Sequence, residues 1–181
     1  GHSAALQDPD ASTLVAEAAS LVHDGDMHLA SLALSLAASV VRCGSFPGAS
    51  GEACKQVLPA ALTLVRSPVM QKQALGALQS FFAALVAAKL PGASFETLLQ
   101  SLMEEGCKLA VGSGVGSGAH GAGGVVAVGQ TAAKCVAAVC ASAGSAATAG
   151  TVSKLIAQLE KKSGGEQLLA LFCLGELGRR A

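Results

Sequence analysis

One pattern constrains this chain more than any other: a triplet of small or apolar residues at positions i, i+3 and i+4 that keeps returning. The triplets are Ala33, Leu36, Ala37; Ala74, Ala77, Leu78; Ala133, Val136, Ala137; and Ala170, Cys173, Leu174. This spacing stacks the three side chains on one face of an α-helix, and no stretch alternates with the period of two that a strand requires. The first two triplets lie 41 positions apart and the last two 37, the period of HEAT and armadillo repeats. The middle interval, 59, is too long by about twenty residues. That excess coincides with "GCKLAVGSGVGSGAHGAGG" (106–124), which reads as an insertion between repeats. A helical pair cannot bury its apolar face alone, so stacked neighbours must cover it, and alanines at the contact points let the axes draw together. The expected fold is all-α: a right-handed α-solenoid of about four HEAT-like antiparallel helix pairs.

Punctuation in the chain divides it into eight helices, over 11–22, 26–43, 51–66, 68–88, 94–105, 125–142, 148–162 and 165–178. Gly25 follows the first and Asp26 stands ready to N-cap the second. "GSFPGASGE" (44–52) reads as a loop, and Ser67-Pro68 places proline at the first position of the fourth helix. "LPGAS" (90–94) and "KKSGGE" (161–166) mark two further boundaries. The resulting division is a tag remnant and disordered lead-in over 1–10, repeats over 11–105, a Gly-rich insertion loop over 106–124, and repeats over 125–181. The opening Gly1-His2-Ser3 reads as a cloning remnant, and the whole as a piece cut from a longer protein.

Composition narrows the function. Apolar residues make up 51% of the 181, aromatics 3%, and there is no Trp or Tyr, which suits a core of Leu, Ala and Val. Twelve basic residues balance twelve acidic ones and look scattered, so the basic excess of a nucleic-acid binder is missing. The longest apolar run, "LASLALSLAASVV" (29–41), falls short of the roughly 20 residues that cross a bilayer, so no membrane span is expected. Six cysteines at 43, 54, 107, 135, 140 and 173 form no CxxC pair. They read as small core hydrophobes in a reducing intracellular compartment.

Three stretches invite a chemical reading, and each has a plainer one. "HDGDMH" (23–28) could offer His23, Asp24, Asp26 and His28 to a metal. An EF-hand counted from Asp24 needs glutamate at its twelfth position, where Ser35 stands, and zinc lacks a third strong ligand nearby. A helix corner explains every residue: His23 at a helix C-terminus, Gly25 as the reversal and Asp26 as N-cap. "GSGAHG" (116–121) is formally GxGxxG, but it lacks a preceding strand, and no Asp or Glu occurs between Glu105 and Glu160. It reads as a flexible tether. For nucleophilic catalysis the histidines are His2, His23, His28 and His120, none beside an evident rigid partner, so the chain is not read as an enzyme. Phe81, Phe82 and Phe172 are read as core, and Arg179-Arg180 as part of an interhelical turn. No residue is assigned a catalytic, cofactor-binding or metal-binding role, no cofactor or small molecule is expected, and the partner-contacting residues stay open.

Composition and period reach only a helical repeat scaffold, such as an adaptor or transport-receptor segment. Four stretches in register go further: "DMHLASLALSLAASVV", "LVRSPVMQKQALGALQSFFAALV", "QTAAKCVAAVCASAG" and "QLLALFCLGELG". They resemble interior HEAT repeats of the cullin-associated, neddylation-dissociated (CAND) family over most of 15–178, failing across 106–124. The resemblance implies a solenoid that wraps a cullin–RING-box complex, blocks attachment of the ubiquitin-like modifier and exchanges substrate-receptor modules. It also implies a non-catalytic role in cytoplasm and nucleus, with no family catalytic residue to carry over.

Overall fold

The computed structural model describes residues 7–70, 72–112 and 120–180. Among them the chain forms nine α-helices, one π-turn and no strand. The helices are α1 (Asp8–Ala19), α2 (Met27–Cys43), α3 (Pro47–Glu52), α4 (Leu58–Val65), α5 (Lys72–Ala88), α6 (Phe95–Gly112), α7 (His120–Ala143), α8 (Ser145–Lys161) and α9 (Gly165–Gly178). The π-turn Ala53–Val57 joins α3 to α4.

Two rows of helices make the all-α solenoid. In the inner row α2 packs on α5, α5 on α7 and α7 on α9. In the outer row α1 packs on α3 and the π-turn, and α4 on α6, while α8 lies against α7 and α9. The recurring triplets all fall on the inner row. Ten of their twelve residues are buried, and Leu36 and Leu174 pack half-buried against the core. Five alanines and a cysteine of this stripe (Ala37, Ala74, Ala133, Ala170, Ala137 and Cys173) are at most 1% exposed, as close axial approach requires. Phe81 and Phe82 are fully buried on α5 with ring centroids 6.0 Å apart, and Phe172 is half-buried on α9.

Several boundaries differ from the sequence reading, each for a physical reason. Helix α1 begins at Asp8, so residues 8–10 are its first turn and not a lead-in. Pro9 fits there because the first amides of a helix have no intrahelical acceptor. The Asp8 carboxylate accepts from the Gly48 N–H at 2.9 Å and the Ala49 N–H at 3.1 Å, capping α3 of the next pair. "GSFPGASGE" is therefore not all loop: Pro47–Glu52 is helical, again with proline in the first turn. Pro59 lies within the continuous helical run that follows, where it has no N–H to donate and its ring crowds the carbonyl four residues back. The π-turn before it relieves that conflict, with the Leu58 N–H reaching five residues back to the Ala53 carbonyl. Pro68 sits in a turn, and α5 starts only at Lys72.

The largest correction concerns 106–124. Helix α6 runs on to Gly112 and α7 begins at His120, so the stretch is not one insertion loop. Only 113–119 lie outside the described residues, and with them most of "GSGAHG". Gly106 is buried in mid-helix, where a Cβ would come within 2.9 Å of both Ala132 Cβ and Leu169 Cδ2. Glycine at this point brings α6 against α7 and α9; it does not loosen the chain. Val126–Ala143 of α7 is long and apolar enough to cross a membrane by length and composition, contrary to the sequence reading, and 61% of it is buried among the other helices.

Candidate protein-binding face

At the HDGDMH corner, two of the four candidate ligands, His23 and Asp26, are engaged locally. The Asp26 carboxylate accepts from the His28 and Leu29 amides, each at 3.0 Å, and so N-caps α2 as expected. His23 does not cap a helix, because α1 ends at Ala19. Instead its Nδ1 accepts from the Gly25 N–H at 3.1 Å, and the imidazole occupies the space a Cβ at 25 would need. Among the described residues, no three His, Cys, Asp or Glu side chains converge as metal ligands do. His120 opens α7, and His2 lies outside the described residues.

The cysteines divide by burial. Cys135, Cys140 and Cys173 are fully buried on the inner row, Cys54 and Cys107 are half-buried, and Cys43 is exposed. Loss of hydration pushes the Cys135 and Cys173 thiols up to about 12, so neither supplies a thiolate at neutral pH. Cys43 moves the other way, lowered by its hydrogen bond with Ser45.

What distinguishes the two rows is charge. The carboxylates of the outer row are Asp8, Asp10 and Glu17 on α1, Glu52 on α3, Glu96, Glu104 and Glu105 on α6, and Glu160 on α8. Inner helices α2, α5 and α7 carry no carboxylate at all. Three outer cations pair locally, Lys55 with Glu52 and both Arg66 and Lys108 with Glu105, whereas Lys154 and Lys161 of α8 have no carboxylate in ion-pair reach among the described residues. Arg66 Nε stands 3.1 Å from Glu105 Oε2, tying the end of α4 to α6 without hydrogen-bond alignment.

Across the inner row, the cations meet mostly neutral acceptors. Arg42 at the end of α2 donates from Nη2 to the Ser80 carbonyl of α5 at 2.9 Å. Arg180, just past α9, donates from Nη2 to Gln79 Oε1, one residue away, at 3.4 Å. Lys134 of α7 has no carboxylate in ion-pair reach among the described residues. Arg179 alone is paired, with Glu176. Lys134, Arg179 and Glu176 share the rim of a cavity of about 270 Å³ between α7 and α9, where Leu171 stands 52% exposed. Arg42, Lys134, Arg179 and Arg180 thus lie along α2, α5, α7 and α9, four helices whose only carboxylates are Glu166 and Glu176 of α9, with exposed Leu171 in the α7–α9 cavity. Sequence reasoning missed this strip because a zero net charge hides its separation. The legible signal was that no helix carrying the first three triplets contains Asp or Glu.

Comparison with known proteins bears on what such a face meets. No family model matches the chain. A cullin-associated NEDD8-dissociated protein 1 of Arabidopsis thaliana is 36% identical over 179 residues, covering 92% of this chain. The chain belongs to the CAND family. The Drosophila melanogaster protein of the same name is 33% identical over 92% of the chain, and the Rattus norvegicus cullin-associated NEDD8-dissociated protein 2 is 33% identical over 97%. The chain spans 13% of the Arabidopsis relative's length and 14% of the Drosophila one's.

Proposed function

We propose that this CAND-family chain is a non-catalytic, protein-binding section of a solenoid that associates with a cullin–RING-box complex. In that role the intact protein blocks cullin neddylation and promotes exchange of substrate-receptor modules, in cytoplasm and nucleus. The observation that carries the reading is similarity over at least 92% of the chain to proteins named as cullin-associated. Two features support a binding role over a catalytic one. Cys135 and Cys173 are buried with thiols pushed up to about 12, and His23 is committed to its own turn. A solenoid also spreads contacts over many repeats, so a section with four pairs contributes a fraction of the affinity. The test is a pull-down and titration against purified cullin–RING-box complex, using the intact protein with and without this section. Retention that weakens when the section is replaced by unrelated HEAT pairs supports the reading. Undiminished retention after replacement refutes it.

A further inference from the structure

We propose that the face made by α2, α5, α7 and α9 docks an acidic patch on a partner protein. The contact centres on Leu171, with Arg42, Lys134, Arg179 and Arg180 around it. This rests on reading the chain as a protein-binding solenoid section, but not on the partner being a cullin.

Three observations carry the inference. First, the charge is unbalanced where it could have been balanced. The outer row carries eight carboxylates and α2, α5 and α7 none, so Arg42 and Arg180 contact only a carbonyl and an amide, and Lys134 has no carboxylate in ion-pair reach among the described residues. Second, the four cations are joined across the row. Arg42 and Arg180 meet on consecutive residues of α5, and Lys134 and Arg179 share one cavity. Like charges grouped on one face act together on an approaching partner, and added salt screens that action. Third, Leu171 stands exposed in the cavity that Lys134 and Arg179 line, with half-buried Phe172 beside it. An apolar centre with a charged rim is the anatomy of a protein interface. Duplex nucleic acid fits less well, since four cations fall short of the roughly 6–10 phosphate contacts such binders make.

The experiment titrates the chain into fluorescent poly-L-glutamate at low and high salt, and in parallel into a fluorescent DNA duplex. Lys134→Glu/Arg180→Glu is compared with Lys154→Glu/Lys161→Glu, which makes the same charge change on α8 of the outer row. Thermal melts establish that each variant is folded, and Lys134→Gln/Arg180→Gln repeats the test should reversal unfold the chain. The expected result is salt-sensitive binding of poly-L-glutamate, weakened about tenfold or more by the inner-row change and little by the outer-row change. Equal losses from both variants, absence of binding, or preferential binding of the duplex would overturn the inference. So would sedimentation showing that the chain instead covers this face by associating with its own acidic outer row. An arm that titrates cullin–RING-box complex with the intact protein separates this from the proposed function. Strip-dependent poly-L-glutamate binding without cullin binding sinks the function and keeps the face; cullin binding indifferent to the inner-row change does the reverse.

Discussion

Replacing Gly106 with alanine tests the packing of the repeats at their tightest point. A methyl group there would meet Ala132 Cβ at 2.9 Å on α7, and Leu169 Cδ2 at 2.9 Å and Cδ1 at 3.1 Å on α9. Ala132 has no flexible end to swing away, and Leu169 is itself 2% exposed, so the helices must part. Overpacking of this kind costs about 1–3 kcal/mol. Alanine also returns up to about 1 kcal/mol over glycine in a helix interior. Gly76 in α5 isolates that second effect, because a Cβ there would meet nothing within 4 Å. Gly106→Ala should therefore lie about 1–3 kcal/mol below Gly76→Ala, itself a little more stable than the parent. For a chain of this size the gap is roughly 2–4 °C in Tm per kcal/mol. Urea denaturation with a shared m-value measures it directly. Should Gly106→Ala gain as much as Gly76→Ala, residue 106 does not sit at a three-helix crossing.

Further outcomes follow from the same packing. Ala74→Phe or Ala133→Phe, both at fully buried positions, should each lower stability by about 1–3 kcal/mol, and unchanged melts would misplace the stripe. Asp8→Ala removes the cap that α1 provides to α3 and should cost about 1 kcal/mol in the same melts, with Asp8→Asn losing less. An aromatic disulfide reagent should modify Cys43 first and leave Cys135 and Cys173 untouched until the chain unfolds. Those two thiols are raised from the ordinary 9.0 to about 12, so the folded chain holds protons that the unfolded chain releases. Stability should be fully present below about pH 9 and fall as the pH rises toward 12; a Cys135→Ala/Cys173→Ala variant should show a shallower fall.

The inner row was legible because its signal is periodic and chemically simple: small residues at i, i+3 and i+4 survive any error in helix ends. The Asp26 cap was legible for the same reason, being set by side-chain reach alone. Helix limits were less so. Pro47 resembles a breaker but occupies a first turn, and Pro59, inside the helix read over 51–66, requires a π-adjusted turn; only the neighbouring backbone reveals either adjustment. Gly106 resembles the start of a tether because low propensity is read locally, whereas close approach to Ala132 and Leu169 is a tertiary fact. The basic strip is hidden in the sequence because Arg42, Lys134, Arg179 and Arg180 come from two helix ends and one mid-helix position up to 138 residues apart. Their proximity exists only after the row has stacked.

The most direct measurement is a titration of cullin–RING-box complex with the intact protein, comparing the native section with one carrying Lys134→Glu/Arg180→Glu. A section that binds through its inner row predicts tight association in the native protein, weakened about tenfold or more by the reversal and increasingly alike at high salt. The same affinity for both, at every salt concentration, would contradict it.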